Sequence, residues 1–261
     1  MKTFSIKQSF KDAYKTLLQK KALYFGVTFI VGIVLMILDK MSQSHSVFVG
    51  LVGFLGMVGI QFVVSVGSIN FILKDIKKEP ATYNDFLPTN EVLIKYLKAL
   101  VRFLLVILPY VIVMVVAVIA GAGGVLGSNG TLAVVASIVF LVGLALALKC
   151  LIRYYFFGYV VVDSGASPKE ALERARKISD GKMWKLLALM MVMGFLNFLG
   201  GITLVGWLFT VPLSMIAVGY VYKSLKDTSV SDTPRETHVE KEASSEQETK
   251  NEETPVSEDI Q

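Results

Sequence analysis

Cysteine and histidine are almost absent from this chain of 261 residues, which holds one Cys and two His. A single thiol excludes a framework of intrachain disulfides. The two imidazoles, His45 and His238, are far apart in the chain, and no Cys or His cluster has the spacing of a zinc or haem site. The sequence therefore predicts neither a metal ion nor a cofactor.

Charge is scarce as well. Charged residues make up 18% of the chain and hydrophobic residues 54%, with a mean hydropathy of +0.60, whereas soluble domains are about 25% charged. No Ser-His-Asp, Cys-His or paired-carboxylate arrangement can be assembled from the sequence. We therefore expect a membrane protein that is not an enzyme.

Long apolar runs are what the chain has instead. A membrane-spanning helix needs about 20 predominantly apolar residues. Buried helices of a soluble protein are the alternative, but six runs with almost no internal charge disfavour it. We predict an all-α fold, a polytopic membrane helix bundle that occupies residues 1–225. Its six transmembrane helices are expected near residues 22–38, 47–73, 97–120, 132–157, 186–199 and 202–222.

Lysine and arginine residues are concentrated in alternate connections. Outside residues 227–261, 22 of them lie before the first span, between spans two and three, between spans four and five, or just after the last span, and only Lys40 lies elsewhere. Cytoplasmic loops collect such residues, so both termini are predicted to be cytoplasmic. The expected partners are the bilayer and its anionic headgroups. Nucleic acid is not expected, because no recognition module is visible.

Residues 226–261 differ from the rest of the chain. They contain four basic and eleven acidic residues and no aromatic one. Such a composition cannot bury enough apolar area to offset the entropy of ordering, so a disordered acidic cytoplasmic tail is predicted. The tail either binds a protein partner or is a solvated terminus, and the second role is the commoner one.

Short amphipathic helices are predicted on the cytoplasmic side. Ser167 and Glu170 have the spacing of a capping box around Pro168, and Gly181 is placed to end the helix. Thr82 and Asp85 repeat the cap pattern before the third span. An interfacial helix followed by a two-span hairpin would then occur three times. The alternative is that any helix entering a membrane from a basic side has this pattern. The apolar stripe predicted after Pro168 consists of Ala171, Leu172, Ala175 and Ile178.

Several segments resemble a known family. They are YVVVD at 159–163, SPKEAL at 167–172, DGKMWK at 180–185 and PATYNDFL at 80–87. The chain is similar to a broad prokaryotic superfamily of six-helix integral membrane proteins, mostly uncharacterised, related to the membrane domain of some glycerophosphodiester phosphodiesterases. The resemblance implies a multi-pass protein of a prokaryotic cell membrane. It carries over no catalytic residue, because the hydrolase domain of the enzyme members has no counterpart here.

Four polar residues inside the spans are candidates for a functional face. Gln61, Ser65 and Ser68 share one face of span two, at i, i+4 and i+7, and Asn197 lies in span five. Hydrogen bonding between helices is the usual role of such residues, and a substrate path is the alternative. Arg153 and Asp163 are a candidate ion pair at the inner interface.

These features support two functions. The first is a membrane-organising or partner-binding accessory protein. The second is a small-solute transporter or channel with a path along span two. The first is favoured, because transporters generally place charged or strongly polar groups at the bilayer midplane.

Overall fold

The computed structural model describes residues 5–79 and 81–231. Within these ranges the chain forms nine α-helices and one 3-10 helix, and six of the α-helices are long and apolar enough to cross a membrane. The predicted all-α bundle with six spans is thereby confirmed. The elements are α1 Ile6–Gln19, α2 Lys21–Ser42, α3 Val47–Ile76, the 3-10 helix Tyr83–Phe86, α4 Asn90–Leu126, α5 Gly130–Tyr154, α6 Phe157–Ser164, α7 Pro168–Ser179, α8 Met183–Gly201 and α9 Leu204–Ser231.

The spans pair as α2–α3, α4–α5 and α8–α9, and a short connection joins each pair. Glycines allow the backbones to approach closely near these connections. A Cβ on Gly53 of α3 would lie 2.7 Å from the Met41 carbonyl carbon, and one on Gly124 of α4 would lie 2.7 Å from the Ala133 nitrogen. Small residues have this role in membrane helix pairs, where backbone contact replaces the hydrophobic driving force.

Apolar side chains cover the outside of the bundle. Leu105 and Ile119 of α4, Leu141 of α5 and Phe195 of α8 are each more than 60% exposed. A soluble protein does not leave apolar surface of this extent in water. The exposed faces of these helices are therefore suited to lipid, as expected for spans of this length and hydropathy.

The best-packed part of the molecule lies at the end of the bundle where the lysine- and arginine-rich connections are, here called the basic end. Helix α6 is buried over most of its length. It begins after a break at Tyr155 and Phe156, inside the segment predicted as span four, because the fully buried Phe156 ring packs against Tyr159 and Tyr222. The helix of the predicted span 132–157 therefore ends at Tyr154, and only Phe157 of that range belongs to α6.

Helix α7 lies against this core as the sequence predicted. The Ser167 hydroxyl accepts a hydrogen bond from the Glu170 backbone N–H at 3.4 Å, and the predicted apolar stripe is buried. The Glu170 carboxylate pairs with Arg174 one turn later, so only half of the predicted capping box is formed. The complete capping box is the other one, between Thr82 and Asp85.

The last helix is longer than predicted. It continues to Ser231, so residues 226–231, which were expected to belong to the disordered tail, are helical. The Lys226 ammonium contributes to this extension by pairing with Asp163 of α6. Residues 232–261 of the predicted tail lie outside the described residues. The order of elements agrees with the predicted unit, because α1, the 3-10 helix and α7 each precede a pair of spans.

Candidate functional site

The polar stripe of span two lines a cavity of about 210 Å³ between α2, α3 and α9. Gln61, Ser65 and Ser68 all contribute to its wall, as the helical spacing required. Gln61 is the fifteenth of the thirty residues of α3, so the cavity reaches the middle of the span. The predicted polar face is therefore the wall of a cavity inside the membrane-spanning part of the bundle.

Exposure decreases along this stripe towards the basic end. The Gln61 side chain is exposed, Ser65 is half-buried and Ser68 is 6% exposed. None of the three side chains forms a hydrogen bond to another helix within residues 5–79 and 81–231. The interhelical role that the sequence favoured is thus not found for them, and their polar groups are left for whatever occupies the cavity.

Asn197 forms the hydrogen bond between helices that was expected of all four polar candidates. It lies on α8, away from the cavity, and its Nδ2 donates a hydrogen bond to the Ser214 hydroxyl of α9 at 3.2 Å. The two helices also meet at Gly200, which faces the Thr210 side chain. Asn197 therefore holds α8 against α9, and the structure separates it from the other three candidates.

Helix α9 contributes an aromatic ring and a proline to the wall. The Trp207 ring lies over Gly32 of α2, where an added Cβ would be 3.0 Å from the ring. Pro212 lies inside α9 and also lines the cavity. Proline has no N–H, so the Leu208 carbonyl one turn earlier lacks its helical donor. An irregular backbone of this kind is tolerated within a membrane where it lines a cavity.

Tyr24 and Phe86 line the cavity on the side of the basic end. The Tyr24 hydroxyl donates a hydrogen bond to Asp75 Oδ2 at 2.8 Å. Asp75 is buried and pairs with Lys20, the residue between α1 and α2. The Phe71 ring packs edge-on against Tyr24 and stacks on Phe86 at 4.4 Å. Tyr24 and Phe86 thus form one end of the cavity, and Phe71 and the ion pair between Asp75 and Lys20 support these two rings from behind the wall.

Sequence reasoning missed this end of the cavity. Asp75 and Lys20 are part of the basic segments that indicated orientation, and Tyr24 and Trp207 are part of apolar runs. Only the cap pattern at Thr82 and Asp85 marked the vicinity of Phe86 as structured. The residues come together through contacts between distant segments, for which the sequence carried no signal.

The ion pair predicted between Arg153 and Asp163 is wrong. Arg153 pairs with Asp180 at 3.1 Å, and the buried Asp163 carboxylate pairs with Lys77 and Lys226. The physical reason is the break after α5, which turns α6 so that Asp163 faces the ends of α3 and α9.

The Asp163 carboxylate is 2% exposed and its neighbours compensate its charge. The Lys77 ammonium lies 2.9 Å from Asp163 Oδ1, and the Tyr222 hydroxyl donates to Oδ2 at 3.0 Å. Hydrogen bonding to Asp163 raises the pKa of Lys77 above its ordinary value. Lys77 therefore stays charged, and the ends of α3, α6 and α9 are joined by one ionic cluster.

No group of three potential metal ligands is present among the described residues. The single thiol, Cys150, is buried in α5. The fold and the site together define a polytopic α-helical membrane protein with an intramembrane cavity. No protein-family model, curated protein or solved structure matches this chain. The resemblance to a prokaryotic six-helix superfamily stays a prediction.

Proposed function

We propose that this protein is a non-enzymatic transporter that binds a small uncharged solute in the cavity between α2, α3 and α9. The observation that carries the proposal is the stripe of Gln61, Ser65 and Ser68, which face that cavity and have no hydrogen-bond partner on another helix in the part of the chain that the structure describes. Unsatisfied polar groups are costly in a hydrocarbon environment. A polar occupant lowers that cost, whereas an alkyl chain does not.

The lining supports an uncharged occupant. Among the described residues it contains hydroxyl, amide and indole groups but no Asp, Glu, Lys, Arg or His. A bare charge inside a membrane protein is expensive unless a partner is present. The scarcity of intramembrane charge, which disfavoured a transporter in the sequence, is therefore compatible with transport of a neutral solute.

The volume of the cavity supports a small solute. Holding one water takes about 10–15 Å³ of probe-occupied space, so 210 Å³ accommodates several waters or a molecule of a few heavy atoms. Sites for drug-sized ligands occupy about 300–1,000 Å³. Small polyols and amides combine the right size with hydrogen-bonding groups and no charge.

Trp207 provides a direct test of occupancy. The chain has two tryptophans, so Trp184→Phe leaves Trp207 in the cavity wall as the only indole. We expect glycerol to change the fluorescence of this variant saturably, whereas sodium acetate, which is charged, does not. Glycerol flux into proteoliposomes is measured in parallel by light scattering.

Variants of the stripe separate binding in the cavity from nonspecific effects. Gln61→Leu and Ser68→Ala each remove a hydrogen-bonding group, so glycerol affinity and flux should fall about two- to tenfold. Ser137→Ala removes a hydroxyl of α5 that bonds the Ala133 carbonyl outside this cavity, and it should leave both unchanged. A non-saturable response, or equal loss in all three variants, contradicts the proposal.

The accessory, partner-binding function remains a prediction. Its proposed binding segment lies mostly in residues 232–261, outside the described residues. Crosslinking of the full chain against a chain that ends at Ser231 tests it, because a cut at 225 would also remove the ion pair between Lys226 and Asp163. An unchanged set of crosslinked proteins would argue against a role for the tail. Placement in a prokaryotic cell membrane with anionic headgroups at the basic end belongs to the same proposal, on the strength of the lysine distribution.

A further inference from the structure

The connection between α3 and α4 turns back into the bundle. The Phe86 carbonyl oxygen lies so close to Gly67 of α3 that an added Cβ there would overlap it. Gly67 precedes the end of α3 at Ile76 by nine residues, which corresponds to about 13 Å along a helix. The 3-10 helix Tyr83–Phe86 therefore lies beside the interior of α3, well before the C-terminal end of that helix.

Polar contacts hold this segment in place. Asp85 closes a capping box with Thr82, and its Oδ1 accepts a hydrogen bond from Lys74 of α3 at 2.5 Å. The Asn70 side chain donates to the Asp85 carbonyl at 2.9 Å. Among the described residues the side-chain hydrogen bonds of this segment to other elements thus all go to α3, and the Phe86 ring stacks on Phe71 beside the core that α2 and α9 also form.

The inserted segment borders the cavity between the stripe and the basic end. Phe86 and Tyr24 line the cavity, together with the buried Ser68. Leu87, directly after the 3-10 helix, is 73% exposed, so the chain returns to the surface immediately after the inserted segment. Short elements with few buried contacts open at low free-energy cost.

We propose that the 3-10 helix Tyr83–Phe86 is a gate that closes the cavity towards the basic end. The proposal rests on the proposed function, because a gate has a role only where a solute passes. In the closed state Phe86 and Tyr24 block the way from Ser68 to the basic end. Opening moves the 3-10 helix off Gly67 and breaks the ion pair between Lys74 and Asp85.

Accessibility of a thiol at position 68 tests the gate. In a Cys150→Ala background, Ser68→Cys places the only thiol on the buried part of the cavity wall. A charged methanethiosulfonate reagent that does not cross bilayers is added to the basic-end side of proteoliposomes with the full chain. We expect slow labelling while the 3-10 helix is in place.

Two glycines of α3 supply a matched pair of variants. Gly67→Ala forces the Phe86 backbone away, whereas the Cβ of Gly59→Ala meets no atom of the described residues within 4 Å. We expect Gly67→Ala to raise the labelling rate at position 68 at least tenfold, and Gly59→Ala to leave it unchanged. Equal rates in the two variants overturn the proposal, and so does rapid labelling of the parent from the basic-end side.

A second pair covers the case in which Gly67→Ala does not fold. Asp85→Asn removes the ion pair with Lys74, and Glu91→Gln makes the same charge change at the exposed pair with Lys95. Only Asp85→Asn should accelerate labelling, by at least threefold.

Labelling is measured without solute. If glycerol fails to affect Trp207 while Asp85→Asn accelerates labelling, the closure is real and the solute proposal fails. If glycerol binds and neither gate variant has an effect, the gate proposal alone fails.

Discussion

Among the ion pairs of the described residues, Asp163 is the most deeply buried carboxylate. Its carboxylate is 2% exposed, whereas its partners Lys77 and Lys226 are each nearly half exposed. Removing the carboxylate leaves two lysines that water can solvate, so the cost falls below the 3–5 kcal/mol of a fully buried broken pair. We expect Asp163→Asn to lower the free energy of unfolding by about 1–3 kcal/mol, measured by denaturant titration in detergent micelles.

The matched control for this prediction is Asp180→Asn. Asp180 pairs with Arg153, but its side chain is 50% exposed. Exposed ion pairs contribute about 0–1 kcal/mol. If the two variants lose the same stability, burial of Asp163 is not what makes its ionic cluster important.

The sequence predicted which polar residues share one face of a helix, but it did not predict the ion-pair partners of charged residues. Gln61, Ser65 and Ser68 were placed on one side of α3 by the helical period alone, and they do share a cavity wall. The predicted ion pair of Arg153 with Asp163 is wrong, because Asp163 pairs with Lys77 and Lys226 instead. The break before α6 redirects Asp163, and its cause, the packing of Phe156 against Tyr222, lies in a distant segment.

Whole helices meet through glycines whose neighbours leave no room for a side chain. A Cβ on Gly200 of α8 would overlap the Thr210 side chain of α9. Forcing atoms into a packed interface costs about 1–3 kcal/mol, so Gly200→Ala should destabilise the protein by that amount in the same denaturant titration. Gly194 lies on the same helix, and a Cβ there has no atom of the described residues within 4 Å. Gly194→Ala should therefore leave the stability unchanged or raise it by up to about 1 kcal/mol.

A double variant identifies the cause of that loss. Thr210→Ala removes the hydroxyl and the methyl group that Gly200→Ala would strike and keeps only the Thr210 Cβ, 2.9 Å away, so the combined variant should recover part of the stability lost by Gly200→Ala alone. Residues in contact show coupling energies of about 0.5–3 kcal/mol in such cycles. Purely additive losses would mean that the glycine is needed for a reason other than this contact.

The long elements were predictable because apolar run length is a local property. All six spans appear, with ends extended by a few residues in most cases. Helix α7 was predictable for a similar reason, since its cap and its stripe are encoded within one short segment. The inserted 3-10 helix was predicted only as a capped interfacial helix before the third span. Its position against Gly67 depends on a contact 19 residues away in the chain, which no local pattern specifies.

The molecule as a whole places its ionic contacts at one end. The pairs of Asp75, Asp85, Asp163 and Asp180 all lie where α3, α5, α6, α7 and α9 approach the basic end. The middle of the bundle has its polar cavity and exposed apolar faces instead. This separation of ionic contacts from the spans is what a bilayer requires of a polytopic protein.

The side of the membrane that the basic end faces follows from the distribution of charge over the whole molecule. If positive charge sets orientation, the basic end is cytoplasmic, and the connection between α4 and α5 is outside. Alkaline phosphatase folds to its active form only outside the cytoplasm. In a bacterial host, the enzyme fused at Ser128 should therefore be active, and the enzyme fused at Gly165 should be inactive. A green fluorescent protein after Gln261 should fluoresce. Activity at Gly165 without activity at Ser128 would reverse the topology and place the proposed gate at the outer face.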